Sequence, residues 1–243
     1  MNCSKLLLTT AVASIGLASG AFAADLARAP ATYTKAPAIV QAAYDWSGFY
    51  VGINGGWGTS DINWNADGLG SEGSHNASGG TVGGQVGYHW QMSSWVFGLE
   101  AQGNWADFKG SNVSAVFAPN VNQTKIDAFG LFTGQIGYAW DRTLLYVKGG
   151  AAVTDNRYQI FATPGGGLLN SVSESRWGAA LGAGIEYAFA PGWSLGFEYD
   201  HLFMGNNDIV QGSGFVNDHI KQDVDLFTAR VNYKFGGPVV ARY

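Results

Sequence analysis

The chain has 243 residues, enough for one domain with short appendages, and an acidic formal charge of −5 with no basic cluster, which excludes nucleic acid as a partner. Aromatic residues make up 14% and charged residues only 13%, about half the usual charged share, so an ordinary water-facing surface is excluded as well. Thirty-six glycines occur without a Gly-X-Y period, which excludes collagen.

Lys5, the apolar run from Leu6 to Leu17 and the small-residue site Ala21-Phe22-Ala23 have the layout of a secretory signal over residues 1–23. Cys3, the only cysteine, lies inside it, so the exported chain would have no disulfide or thiolate ligand. Residues 24–45, with Pro30 and Pro37, are expected to form a periplasmic N-terminal segment. After residue 23 no apolar run approaches the length of a spanning helix, so membrane crossing would require a closed barrel.

From Trp46 onward apolar residues alternate with small or polar ones, the strand period. Eight strands are predicted, near 46–59, 80–92, 95–108, 124–140, 144–155, 175–189, 193–204 and 222–235. Tight turns fall at Ser93-Ser94, Asp141-Arg142 and Pro191-Gly192. The intervening stretches 60–79, 109–123, 157–174 and 205–221, rich in Gly, Asn and Ser, are expected to be long loops. Short turns at one end and long connections at the other predict an all-β, eight-stranded, antiparallel up-and-down transmembrane barrel over 46–235. Its turns would be periplasmic and its four long loops extracellular, with a tail over 236–243.

A repeat fixes the register. Four strands end in Tyr-x-aromatic: Tyr88 with Trp90, Tyr138 with Trp140, Tyr187 with Phe189, and Tyr233 with Phe235. Trp95 and Trp193 open strands at the same level, giving one interfacial aromatic girdle. In the fourth strand the alternation places Ile126 outward and Asp127 inward.

The strand charges fall on the inward face: Glu100, Lys148, Arg176, Glu186, Glu198, Arg230 and Lys234. Eight strands leave a lumen that side chains fill, and buried ions must be paired. A closed salt-bridge plug is expected, with Glu198–Arg230 as its central pair. A Glu100/Glu198 acid–base couple would need a substrate cleft that such a lumen lacks, so no catalytic residue is assigned.

Gly68-Leu69-Gly70-Ser71-Glu72-Gly73 matches a dinucleotide fingerprint, but no helix pattern follows it. His201 has outward parity as in lipid-modifying barrels, yet Phe203 stands where a serine nucleophile would be needed. The histidines show no metal-binding spacing. His75 and His219, in the first and last long connections, are candidate haem ligands, with solvated loop histidines as the plainer alternative.

Tyr33-Thr34-Lys35-Ala36-Pro37, Tyr44-Asp45-Trp46-Ser47-Gly48-Phe49-Tyr50-Val51-Gly52 and the closing Val231-Asn232-Tyr233-Lys234-Phe235 resemble the alphaproteobacterial outer-membrane immunogenic proteins, small opacity-type barrels. The chain is expected to be a non-enzymatic, cofactor-free monomer, and the resemblance implies an abundant protein of a Gram-negative outer membrane. It further implies a role in envelope integrity and surface contact, with hemin-binding relatives. Its partners would be outer-membrane lipid and lipopolysaccharide, and the barrel-assembly machinery during insertion. That machinery reads a terminal aromatic residue, for which Phe235 and Tyr243 are the alternatives. A narrow channel is the remaining functional alternative.

Overall fold

The computed structural model describes residues 44–66, 70–116, 118–163, 165–209 and 218–236. The signal sequence, nearly all of the N-terminal segment and Tyr243 lie outside these residues. Eight strands occur among them: β1 (Gly48–Ala66), β2 (Gly70–Met92), β3 (Trp95–Val113), β4 (Val121–Trp140), β5 (Thr143–Phe161), β6 (Leu168–Ala190), β7 (Trp193–Ile209) and β8 (Asp218–Lys234). Each pairs antiparallel with its neighbour in sequence, and β8 pairs with β1, closing the barrel. At the short turns Ser93, Asp141 and Gly192 take positive φ, the left-handed backbone that two-residue hairpins require.

The strands are 17 to 23 residues long, whereas a tilted strand crosses a bilayer in about 9–11. The four expected long loops are therefore largely strand. β1 and β2 remain paired up to Ala66↔Gly70, past a register shift between Trp64 and Asn65, and β4 and β5 up to Val121↔Phe161, past one between Ile126 and Ala128. β3–β4 and β5–β6 are joined through 114–120 and 162–167, of which 117 and 164, like 67–69 and 210–217, lie outside the described residues.

The period-two pattern does not stop at the edge of the membrane; its sign inverts. In the lower half apolar side chains point out and polar ones in. Above a second aromatic level formed by Trp57, Trp105, Trp177, Phe203 and Phe227, the polar side chains point out, among them Asp61, Asn63 and Lys109. There Ile62, Trp64, Phe108, Ile126, Leu202 and Ile220 fill the interior as an apolar core. Lower and upper aromatic levels are about ten residues apart along a strand, as from Trp95 to Trp105, which matches one bilayer crossing.

The ten expected girdle residues all lie on the outward face, from half-exposed Tyr88 to Trp140 at 79% exposure. They do not share one level, however. Trp95 is the direct partner of Tyr138, and Trp193 of Tyr233, with the rings of each pair in contact. Trp90 departs from that line: it is in register with Phe97, two residues above Trp95, and its ring packs on Tyr88. Phe189 departs as well, because the β6–β7 register slips between Ala188 and Ala190 and leaves it as the bulged residue without a cross-strand partner. The girdle is therefore stepped, as the tilt and stagger of strands in a closed barrel require. Tyr187, Tyr233 and Phe235 continue it, the last two in edge-to-face contact.

Ile126 and Asp127 also depart from expectation. A bulge between Ile126 and Ala128 adds a residue to β4 and reverses the parity above it. Ile126 is consequently buried inside, and Asp127 faces out to Lys125 and Arg157.

Candidate functional site: the filled lumen

Two rows of three residues organise the interior. Tyr50 on β1 is in register with Gly87 on β2, and Gly87 with Glu100 on β3. Tyr146 on β5, Gly184 on β6 and Glu198 on β7 repeat the arrangement four strands later. Each tyrosine reaches over the glycine to donate its hydroxyl to the glutamate, at 2.7 Å from Tyr50 to Glu100 and 2.6 Å from Tyr146 to Glu198.

Arg230 of β8 lies between these rows. It meets Glu198 Oε2 at 2.5 Å and pairs with Glu100 through its other terminal nitrogen. Lys148 of β5 is 2.5 Å from Glu198, 3.3 Å from Asp200 and 3.5 Å from Glu100. All five ionic side chains are essentially without solvent contact. Low local polarity makes such contacts strong, and it makes each of them costly to leave unpartnered.

The expected charge set thus divides. Glu100, Lys148, Glu198 and Arg230 form one cluster, joined by Asp200. Glu186 is outside it: its carboxylate accepts from Ser194 Oγ and from Asn232 Nδ2 at 3.0 Å. Asn232 Oδ1 accepts from Gln85, Gln85 Oε1 from Asn54, and Asn54 Oδ1 from Asn104, at 2.7, 2.7 and 2.5 Å. A chain of amides therefore crosses the barrel. Arg176 is higher up, donating to the Ile220 carbonyl at 3.1 Å, 3.5 Å from Glu174, with its guanidinium over the Tyr158 ring. Lys234 is at the lower rim, donating to the Asp45 carbonyl and capping the Tyr44 ring.

Sequence reasoning missed the two tyrosines and Asp200. A signal was present: Tyr50, Tyr146 and Asp200 all have inward parity, and Tyr146 and Asp200 are each two residues from a charge, Lys148 and Glu198. Trp46, expected at the head of the first strand, instead enters the lower mouth. It packs with Val96, Leu144, Tyr146 and Ala188, and its backbone N–H donates to Gln91 Oε1 at 2.7 Å.

His75 and His219 are in strands rather than loops, on β2 and β8. The His75 ring is buried inside, with Nδ1 2.9 Å from Asn112 Oδ1 and Trp64 beside it. Burial pulls its pKa below the ordinary 6.5, against the raising effect of the Asn112 bond. His219 is in register with Asn65 on β1, and its side chain lies outside the described residues. His201 lies on the outer wall, with Nδ1 2.7 Å from Asp225, which also accepts from the Tyr199 hydroxyl at 2.6 Å. Among the described residues no group of three or more His, Cys, Asp or Glu side chains could hold a metal ion.

A closed antiparallel tube with an apolar outer belt, aromatic rims and an ion-filled lumen defines an integral outer-membrane β-barrel. The chain belongs to the outer membrane protein beta-barrel domain family, whose model matches residues 10–235. It is 30% identical to the 31 kDa outer-membrane immunogenic protein of Brucella melitensis, over 95% of this chain and all of that one. It is 28% identical to the 22 kDa outer membrane protein of Rhizobium leguminosarum bv. viciae, over 73% of each. Among solved structures, the outer membrane protein OprG of Pseudomonas aeruginosa covers 80% of this chain and 99% of its own at 16% identity, with a TM-score of 0.49.

Proposed function

We propose that this outer-membrane barrel is a closed, non-catalytic envelope protein, which reinforces the membrane and displays a rigid surface outside it. The observation that carries this reading is the continuous filling of the lumen. Trp46 plugs the lower mouth, the Glu100–Arg230–Glu198–Lys148 cluster and the amide chain cross the middle, and the apolar core around Trp64 and Phe108 fills the top. A solute path would have to break all three layers. A catalytic use of Glu100 and Glu198 is disfavoured for the same reason, since both carboxylates are spent on Arg230, Lys148 and tyrosine hydroxyls. The haem alternative finds little support at His75, whose ring is enclosed and bonded to Asn112.

Single-channel recording in planar bilayers tests the closed state: the reading requires no conductance steps above the bare bilayer, and a stable open level would overturn it. Deleting the gene tests the envelope role. The deletion strain should become more sensitive to detergents and large antibiotics, and unchanged sensitivity would remove that part of the proposal.

A further inference from the structure

The strand rungs of the barrel are not complete at every height. β6 pairs with β5 up to Phe161↔Leu168, but with β7 only from Ala190↔Trp193 to Ala179↔Phe203. Above that rung no β6–β7 pair is formed among the described residues. Trp177 and Phe203 stand at the upper aromatic level, so the wall is closed within the bilayer and split outside it.

The split has a local cause. The β7–β8 register slips between Phe203 and Asn206, and Gly205, inside that bulge, has a φ of 68°, the left-handed backbone that glycine adopts without strain. Past the bulge β7 pairs with β8, from Asn206↔Lys221 to Ile209↔Asp218, and no longer with β6. β6 is left with a strand edge from Leu168 to Gly178, about 36 Å at ~3.3 Å per residue.

Burial follows the split. Inward Val172 shares a rung with Tyr158 and Thr124, and inward Glu174 shares one with Asn156 and Ile126. Tyr158, Thr124, Asn156 and Ile126 are buried, whereas Val172 and Glu174, beside the split, are partly exposed. At its base the buried Arg176 reaches past β7 to donate to the Ile220 carbonyl of β8 at 3.1 Å, and its Nε has no hydrogen-bond partner.

A bare strand edge presents backbone N–H and C=O groups and is a template for pairing with another chain. Lysine and proline, which commonly guard such edges, are both absent from Leu168–Gly178, whose outward side includes Ser171, Ser173 and Ser175. Its two charges, Glu174 and Arg176, point inward and select what can pair.

We propose that this edge receives an extended segment of another polypeptide, which adds one antiparallel strand to β6 above the membrane and sets an acidic side chain against Arg176. Main-chain bonds supply the affinity and the inward side chains the selectivity. An antiparallel segment meets Arg176, Glu174 and Val172 in turn, so its inward side chains, two residues apart, are acidic, basic and apolar. The closed lumen below plays no part in this docking.

The test uses the full-length protein, extracted from outer membranes in detergent and shown to be folded by its heat-dependent gel shift, with fluorescein-labelled peptides read by anisotropy. Thr-Asp-Thr-Lys-Thr-Val-Thr should bind saturably, and Thr-Lys-Thr-Asp-Thr-Val-Thr, with the charges exchanged, about tenfold more weakly. N-methylation of the first peptide at every second residue should abolish binding in at least one of the two frames. Arg176→Gln should erase the preference between the peptides; should that variant fail to fold, the charge exchange reads the same contact on the unchanged protein. In a Cys3→Ser background, the Ser173→Cys variant should form a disulfide with the peptide carrying cysteine between Lys and Val, and the Ser111→Cys variant on β3 should not. No saturable binding, indifference to the charge exchange, full binding by both N-methylated frames or equal cross-linking at the two sites would overturn the proposal.

Discussion

The ring of Tyr50 occupies the space that a side chain on Gly87 would need, since a Cβ built there falls 2.4 Å from the phenol. That vacancy lets Tyr50 bridge a whole strand to reach Glu100, and Tyr146 does the same over Gly184 to Glu198. Gly87→Ala should therefore displace the ring and break the bond, lowering unfolding stability by about 1–3 kcal/mol through overpacking alone. Tyr50→Phe keeps the packing and loses only the bond to a buried carboxylate, at about 1–3 kcal/mol. Urea unfolding in detergent micelles, followed by tryptophan fluorescence, measures both. Full stability in Gly87→Ala would show that the ring has another place to go.

Arg230 bonds both glutamates, so its loss leaves buried negative charge that Lys148 alone must offset. Arg230→Met should cost about 3–5 kcal/mol. Adding Glu100→Gln and Glu198→Gln should restore part of that loss instead of adding to it, because the three residues act as one unit. Purely additive costs across this series, read from unfolding midpoints, would contradict the shared network.

The inversion of polarity above Trp105 sets where the bilayer ends. Leu99→Arg, on the lipid face, should destabilise the inserted barrel by about 2–4 kcal/mol. Asn63→Arg, equally outward but above the upper aromatic level, should stay within about 0.5 kcal/mol. Similar costs at both sites would place the membrane boundary elsewhere.

His75 makes stability depend on pH. Its folded pKa is below the ordinary 6.5, so the unfolded chain takes up the proton first as pH falls. Its contribution is complete above 6.5 and is lost progressively below. Unfolding midpoints of wild type should fall from pH 7.5 to pH 5.5 more than those of His75→Gln. Parallel pH profiles would show that the ring is protonated equally well in both states.

Much of the barrel is legible in the sequence, because in the lower half each strand has one lipid-facing and one lumen-facing side and the alternation has high contrast. The Tyr-x-aromatic endings then fix the level of each hairpin to within the stagger that sets Trp90 above Trp95. The upper half was harder to read. Asp61, Asn63 and Asn65 outline a strand as clearly as Phe49, Val51 and Ile53 do, but with the polar side outward, and polarity combined with glycine resembles loop composition. The bulges at Ile126 and Phe189 have no signature in residue type. Inward parity alone also did not divide the charges into clusters. Arg176 and Glu186 share it with Arg230, and only barrel shear and side-chain reach decide which of them meet.

Because the strands continue past the bilayer, the outer face of the molecule is a β-sheet wall more than a set of loops. On it Asp223, Asp61 and Asn76 stand in one row, drawn from the last, first and second strands. An antibody or receptor that recognises this row recognises the closed barrel. Peptides cut from the sequence would not compete for it, and heating the protein until the barrel opens would erase the epitope.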